Sequence, residues 1–482
     1  MNTSSPDSIR PIYLNGEWRT SSPALEVINP STGEVFAQVS TIDREGTRQA
    51  IADADAAWQG WRDLTGKERG AYLHAIADGI EKRADEIAHT ISLENGKPLA
   101  QGKGEVGMTV DHFRWFAEEA RRTYGRVIPH QMPGKRHLVI RQSVGVVGAI
   151  APWNFPLVLA VRKVAPALAA GCPVLLKPAS ATPLSSLLLA EAVHEAGLPK
   201  GVFQLLIGKA REIGAELMEN PACRKITFTG STEVGRELIR QSADQVKKLS
   251  MELGGHAPLI IFDDANLDTA IEGALITKFR NGGQSCIASN RIYVQAGIYE
   301  KFLEAFVKKT QALKIGDGLT DGIDIGPLID SAAVDTALKH IEAATASGAR
   351  LLCGGKRPEG FNDSFLEATV LADVPEDTLC MNEETFAPVA PVSVFDHEDE
   401  VIQRANDTDY GLAAYVFTEN LNRAWRVAEA LEAGTVGVND AVPSTSQCPF
   451  GGIKQSGLGR ELGSEGIDGF LESKHISFGG IG

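Results

Sequence analysis

No stretch of this chain approaches the ~18 uninterrupted apolar residues of a membrane-spanning helix. The polar start "MNTSSPDSIRPIYLNGEW" holds no apolar core for a signal peptide. Neither a span nor a secretory leader is expected, and the default is a cytoplasmic enzyme. Cysteine is scarce: the six (Cys172, Cys223, Cys286, Cys353, Cys380 and Cys448) are widely scattered, without CxxC spacing. That favours reduced thiols over a disulfide framework or a structural zinc site, and no metal is expected. Positive charge is in deficit, with 47 lysines and arginines against 62 acidic residues and a formal charge of -15. Such a surface repels a phosphate backbone or an anionic membrane, so neither nucleic acid nor membrane is expected as a partner. Low-complexity linkers and internal repeats are absent too.

With 482 residues, the chain should divide into two or more domains, because single cores rarely grow past ~250 to 300 residues. From about residue 45 to 124, "TRQAIADADAAWQGW", "AYLHAIADGIEKRADEIAHTI" and "TVDHFRWFAEEARRTYG" space their apolar residues three and four apart, which predicts helices. "HLVIRQSVGVVGAIAP" then reads as extended chain. After it, predicted helices such as "LVLAVRKVAPALAAG" and "TEVGRELIRQSA" alternate with predicted strands such as "PVLLKP", "VFQLLIG" and "KITFTGS". A second alternating series runs from "APLIIF" to "AWRVAEALEAGTVGVN". Alternation of this kind implies parallel sheets wrapped by helices, an α/β fold. The strand-like ending "FLESKHISFGG" is expected to pair with "HLVIRQ" or with another subunit.

"KFRNGGQSCIASN" sets Cys286 in a polar, glycine-containing loop just after a predicted helix. A small buried hydrophobe is one reading of a free cysteine; a reachable nucleophile is the other, and the loop favours it. "GKGEVG" (Gly102, Gly104, Gly107) matches the dinucleotide fingerprint formally, but no strand precedes it, so it is read as a decoy. "KITFTGSTEVGREL" is the better candidate, since a strand runs into Gly230 and Ser231 and a helix start then offers free amides to a phosphate. Glu252 in "MELGGHAP" is either a surface glutamate or a general base. Asn154 in "APWNFPL" is either part of a rigid loop or a donor to an oxyanion.

Taken together, "PWNFP", "KPAS", "FTGSTEVG", "MELGGHAP", "GGQSC", "EETFAPV" and "PFGGIKQSGLGRE" follow one another in the order and approximate spacing of the aldehyde dehydrogenase superfamily. Within it, Arg162 in "VRKVAP", Arg280 in "KFRNGGQSC" and the "CPFGGIKQSGLGRE" segment most resemble succinate-semialdehyde dehydrogenases. The resemblance implies an aldehyde dehydrogenase fold: a modified Rossmann cofactor domain (1–123 and 143–254), an α/β catalytic domain (255–465) and a small β oligomerisation element (124–142 and 466–482). It implies Cys286 as nucleophile, Glu252 as base, Asn154 as oxyanion donor and Glu461 as a proton relay. It places Trp153, Lys177, Ser180, Gly230, Ser231, Leu253, Glu384 and Phe386 around the cofactor, and Arg162, Arg280 and Ser444 on the carboxylate of a semialdehyde.

NADP or NAD is the implied cofactor; NADP is expected to be accepted or even preferred, because Ser180 stands where NAD-selective relatives often carry a glutamate. A homodimer or homotetramer is implied as well. Glutarate-semialdehyde, 2-oxoglutarate-semialdehyde and broad-specificity aldehyde dehydrogenases are the alternatives. The sequence departs from the family pattern at Ala387, usually glycine, and at Ala288, where some relatives carry a second cysteine. A cysteine hydrolase is disfavoured because no histidine stands in the Cys286 loop.

Overall fold

The structure, a computed structural model, describes residues 8–480. The first seven residues of the polar start and the last two of the chain lie outside the described residues. Two large sheets carry the architecture. A six-stranded sheet runs in the order Phe203–Leu205, Val174–Lys177, Val146–Ile150, Cys223–Thr229, Lys248–Glu252 and Gly457–Leu458, parallel except at its last pair. A seven-stranded sheet runs Arg350–Cys353, Thr369–Ala372, Val389–Phe395, Ser289–Gln295, Ala257–Ile261, Ala413–Phe417 and Thr435–Val438, parallel except at its first pair. Helices cover both faces, which is why central strands such as Val174–Lys177 are buried throughout instead of alternating. The α/β expectation is met.

"HLVIRQSVGVVGAIAP" divides into two strands, Lys135–Ser143 and Val146–Ile150. The first pairs antiparallel with Leu471–Gly479 in a register that sets Leu471 opposite Ser143, so the C-terminal segment finds "HLVIRQ" within its own chain. Arg126–Ile128 completes this three-stranded sheet. Other elements differ from the sequence expectation. The run "AYLHAIADGIEKRADEIAHTI" is broken at Arg83, whose φ of -104° and ψ of 16° end helix Gly66–Lys82 before Ala84–Asn95 begins. Helix Leu99–Glu119 starts well before "TVDHF" and swallows "GKGEVG" whole. Glycines held in helical geometry cannot form a phosphate-binding turn. Five short strands before residue 41 were not anticipated.

Parallel strands place their C-terminal ends along one edge, where ligands of such sheets gather. Asn154 follows Val146–Ile150, Ser180 follows Val174–Lys177, Gly230 follows Cys223–Thr229 and Gly254 follows Lys248–Glu252. The topology therefore collects the candidate residues from four separate motifs at one edge.

Candidate active site

Helix Leu267–Phe279 ends at Arg280, and Asn281, Gly282 and Gly283 then take φ of 54°, 61° and 74°. That left-handed run turns the chain toward Cys286. Gly283 has no alternative residue, since a Cβ there would lie 2.2 Å from the Ala387 carbonyl oxygen. Gly255 is equally constrained, its Cβ position being 2.2 Å from the Cys286 carbonyl oxygen. These two close approaches pin the cysteine loop against the "EETFAP" loop on one side and the turn after Glu252 on the other. Lys278 adds a buried tie, donating to Asn290 Oδ1 at 2.7 Å and Thr385 Oγ1 at 3.0 Å.

A cleft of about 230 Å³ opens at this junction, lined among others by Trp153, Asn154, Gly230, Ser231, Leu253, Cys286, Glu384 and Phe386. Motifs more than two hundred residues apart thus share one cavity. Trp153 and Phe386 meet edge to face, 5.6 Å between centroids at 82°. Phe386 holds a φ of 46°, a strained backbone for an aromatic residue. Ser231 caps helix Thr232–Ser242 by accepting from the Val234 amide at 3.3 Å, which leaves first-turn amides free for an anion. Glu384 accepts from the Gly255 amide at 3.3 Å, and burial pushes its carboxyl up to about 8. Free helix amides, a carboxylate and two aromatic faces form a donor set that fits a phosphate, ribose hydroxyls and a planar ring, as a nicotinamide dinucleotide offers. Lys177 and Ser180 do not line this cleft. Lys177 is buried and donates to the Pro178 carbonyl at 2.8 Å, with its amine lowered to about 8 by burial; Ser180 is exposed just beyond it.

The Cys286 thiol is pushed up to about 12, chiefly by burial and then by the negative charges of Glu384 and Glu252, while Arg162 pulls it down. A base is therefore needed to ionise it near neutrality. Asn154 is 4% exposed and donates through Nδ2 to the Gln284 carbonyl at 3.1 Å, which leaves its second amide hydrogen for an oxyanion. Glu252 is held well above the carboxylate range by burial and by neighbouring Glu461. Each of these two carboxyls keeps a buried Oε2 with no partner among the described residues.

Sequence reasoning passed over three residues here. Lys163 binds both Glu461 and Thr229 Oγ1, and the signal that could have found it was a second cation beside Arg162 in an otherwise apolar helix. Lys97 and Glu105 form a buried ion pair at 2.7 Å. Lys97 also donates to the Asn154 carbonyl at 2.7 Å, and Glu105 accepts from the Leu157 and Val158 amides at 2.9 and 3.2 Å. The pair thus holds the Asn154 loop and caps helix Val158–Ala170. Glu105 belongs to "GKGEVG", whose local sequence gives no hint of this tertiary role.

Arg162, on that helix, is 6% exposed. Its Nη2 donates to Ser444 Oγ at 2.9 Å and its guanidinium lies 4.6 Å from the Phe450 ring centre. Arg280 lies 5.4 Å from the Phe155 ring centre. Among the described residues neither guanidinium forms an ion pair with an acidic side chain. A buried cation without a directly paired acid is costly, a cost that an anion placed in this corner would offset.

Over residues 18–476 the chain matches the aldehyde dehydrogenase family. It is 49% identical to the glutarate-semialdehyde dehydrogenase of Pseudomonas aeruginosa, over 97% of both chains. It is 48% identical to the NADP(+) succinate-semialdehyde dehydrogenase of Escherichia coli, again over 97% of both. The crystal structure of betaine aldehyde dehydrogenase from Staphylococcus aureus in complex with NAD+ superposes with a TM-score of 0.95 at 37% identity, covering 98% of this chain and 95% of that one.

Proposed function

Because the chain belongs to the aldehyde dehydrogenase family, we propose that it oxidises a carboxylated semialdehyde, foremost succinate semialdehyde, to the dicarboxylate with NADP or NAD. The observation that carries this reading is the buried pair Arg162–Ser444 with Arg280 nearby, neither guanidinium in a direct ion pair among the described residues, and Arg162 close enough to Cys286 to favour its thiolate. A second reading, glutarate semialdehyde, is favoured by the similarity to the Pseudomonas aeruginosa enzyme; one methylene is worth only ~1 to 3 kcal/mol in discrimination. Steady-state comparison of the four- and five-carbon semialdehydes with butanal, each with both cofactors, tests the proposal. Equal kcat/KM for butanal and the semialdehydes would refute it.

The residues divide the reaction as follows. Solvent water takes the proton of the Cys286 thiol, the thiolate sulfur adds to the aldehyde carbon, and the carbonyl π electrons move to oxygen. The free Asn154 amide hydrogen and the Cys286 backbone N–H hold that oxyanion. The dinucleotide, when bound, supplies the hydride acceptor that turns the thiohemiacetal into a thioester; Trp153, Gly230, Ser231, Leu253, Glu384 and Phe386 would hold it, with Lys177 and Ser180 at the ribose end. Glu252 then takes a proton from water as the water oxygen adds to the acyl carbon and the C–S bond breaks. Burial and the neighbouring Glu461 raise its affinity for protons above that of an ordinary carboxylate, which favours its taking one from water. Glu461, anchored by Lys163, passes that proton on. Asn154→Ala is expected to lower kcat by roughly 10² to 10³, read by single-turnover acylation; an unchanged acylation rate would remove it from this role.

Ser180 is exposed and uncharged beside Lys177, so a 2′-phosphate meets no carboxylate there. Ser180→Glu is therefore expected to shift kcat/KM from NADP toward NAD by like-charge repulsion. A wild type that uses NAD alone would overturn this. The chain segments 1–123 and 143–254 are read as the cofactor half and 255–465 as the catalytic half. The open edge of strand Leu471–Gly479 supports assembly as a homodimer or homotetramer, and unpaired cysteines support a cytoplasmic setting.

A further inference from the structure

Behind Arg162 runs a chain of polar groups that the reaction steps do not use. His112, on helix Leu99–Glu119, is 2% exposed and accepts from Arg162 Nε at 3.4 Å through Nε2. Its Nδ1 lies 2.8 Å from Ser446 Oγ, and Ser446, also 2% exposed, binds the carboxylate of Asp111. The directions are forced. An arginine Nε–H only donates, so His112 Nε2 carries a lone pair and the single ring proton sits on Nδ1. That proton goes to Ser446 Oγ, whose own hydrogen goes to Asp111 Oδ2. Every link is thereby satisfied in one sense, from guanidinium to carboxylate.

This arrangement answers a difficulty of the anion corner. A carboxylate bonded directly to Arg162 would neutralise the cation but occupy the fork that a substrate carboxylate needs. Asp111, exposed and three hydrogen bonds away, supports the cation through His112 and Ser446 without occupying it. With Nε on His112, Nη2 on Ser444 and the plane over Phe450, the guanidinium has one orientation, and Nη1 makes no hydrogen bond among the described residues.

We propose that His112, Ser446 and Asp111 are positioning residues for substrate selection: they fix the rotation of the Arg162 guanidinium so that its free edge grips the carboxylate of the semialdehyde. The inference rests on the carboxylated-semialdehyde reading of the site. Burial and the Arg162 cation also keep the His112 ring well below the usual histidine range, in keeping with the neutral tautomer.

The test is steady-state kinetics of His112→Leu, His112→Gln and Ser446→Ala with succinate semialdehyde and butanal, beside Arg162→Ala and the double variant Arg162→Ala/His112→Leu, with melting temperatures for all. Loss of a hydrogen bond to a charged group predicts that His112→Leu raises KM for succinate semialdehyde roughly 10- to 100-fold. Its kcat and its butanal parameters should stay near wild type. His112→Gln, which can still accept from Arg162 and donate to Ser446, should recover most of the loss, and the double variant should be no worse than Arg162→Ala. Ser446→Ala should follow His112→Leu in direction, and it serves alone if His112→Leu does not fold. Equal losses on both aldehydes, or none, overturn the proposal. If Arg162→Ala itself fails to separate the two aldehydes, the reading of the site falls; if it separates them and the His112 and Ser446 variants do not, only this inference falls.

Discussion

Cys286→Ala should release no reduced cofactor at all, in a burst or in steady state, whereas Glu252→Gln should give a burst of about one equivalent per active site and then turn over slowly. The thiol is needed for both half-reactions, since without the C–S bond there is neither a thiohemiacetal nor a thioester. Glu252 is needed chiefly for the second, where water must be deprotonated, and losing a general base slows that step by roughly 10² to 10⁴. Rapid mixing with absorbance at the NADH wavelength separates the two variants. Iodoacetamide labelling of the free enzyme adds the ionisation state. The thiol is raised to about 12, so the thiolate fraction, and with it the labelling rate, should climb as pH rises through the alkaline range. A Cys286→Ala protein that oxidises aldehyde at the normal rate would end this mechanism.

The second large effect concerns the far end of the substrate. Arg162→Ala and Arg280→Ala should each raise KM for succinate semialdehyde by roughly 30- to 5,000-fold, the ~2 to 5 kcal/mol of a truncated buried charge contact. Butanal, which brings no carboxylate, should lose little. Arg162 should lie toward the upper end of that range, because it is the more buried and already shares Ser444. Arg280 is less enclosed and stacks on Phe155, and solvent screens part of its charge. Equal losses on both substrates would make the arginines structural and remove the main support for a carboxylated aldehyde.

Much of the site was legible before any coordinates. Cys286 stands out because "NGGQSC" cannot form an apolar wall, whereas Arg162 is singled out only through the family resemblance. Gly230 and Ser231 stood out because a strand ran into a glycine and then a helix. The dismissal of "GKGEVG" as a fingerprint was sound on the same local grounds, yet one of its residues, Glu105, caps the helix that carries Arg162. Local pattern could reject the motif's usual role; it could not supply the tertiary one.

The sequence by itself determined the strand–helix alternation, and through its co-occurring motifs the family and the candidate nucleophile that the proposal uses. These are properties of periodicity and of short residue groups, which need no partner from elsewhere in the chain. Only the tertiary structure decided which distant groups meet: Gly283 against Ala387, Gly255 against Cys286, Lys163 on Glu461, His112 on Arg162. It also decided the direction in which the buried acids and the thiol are shifted, because a pKa is set by burial and by neighbouring charge. Both depend on how sheets and loops pack, and no local stretch of sequence records that.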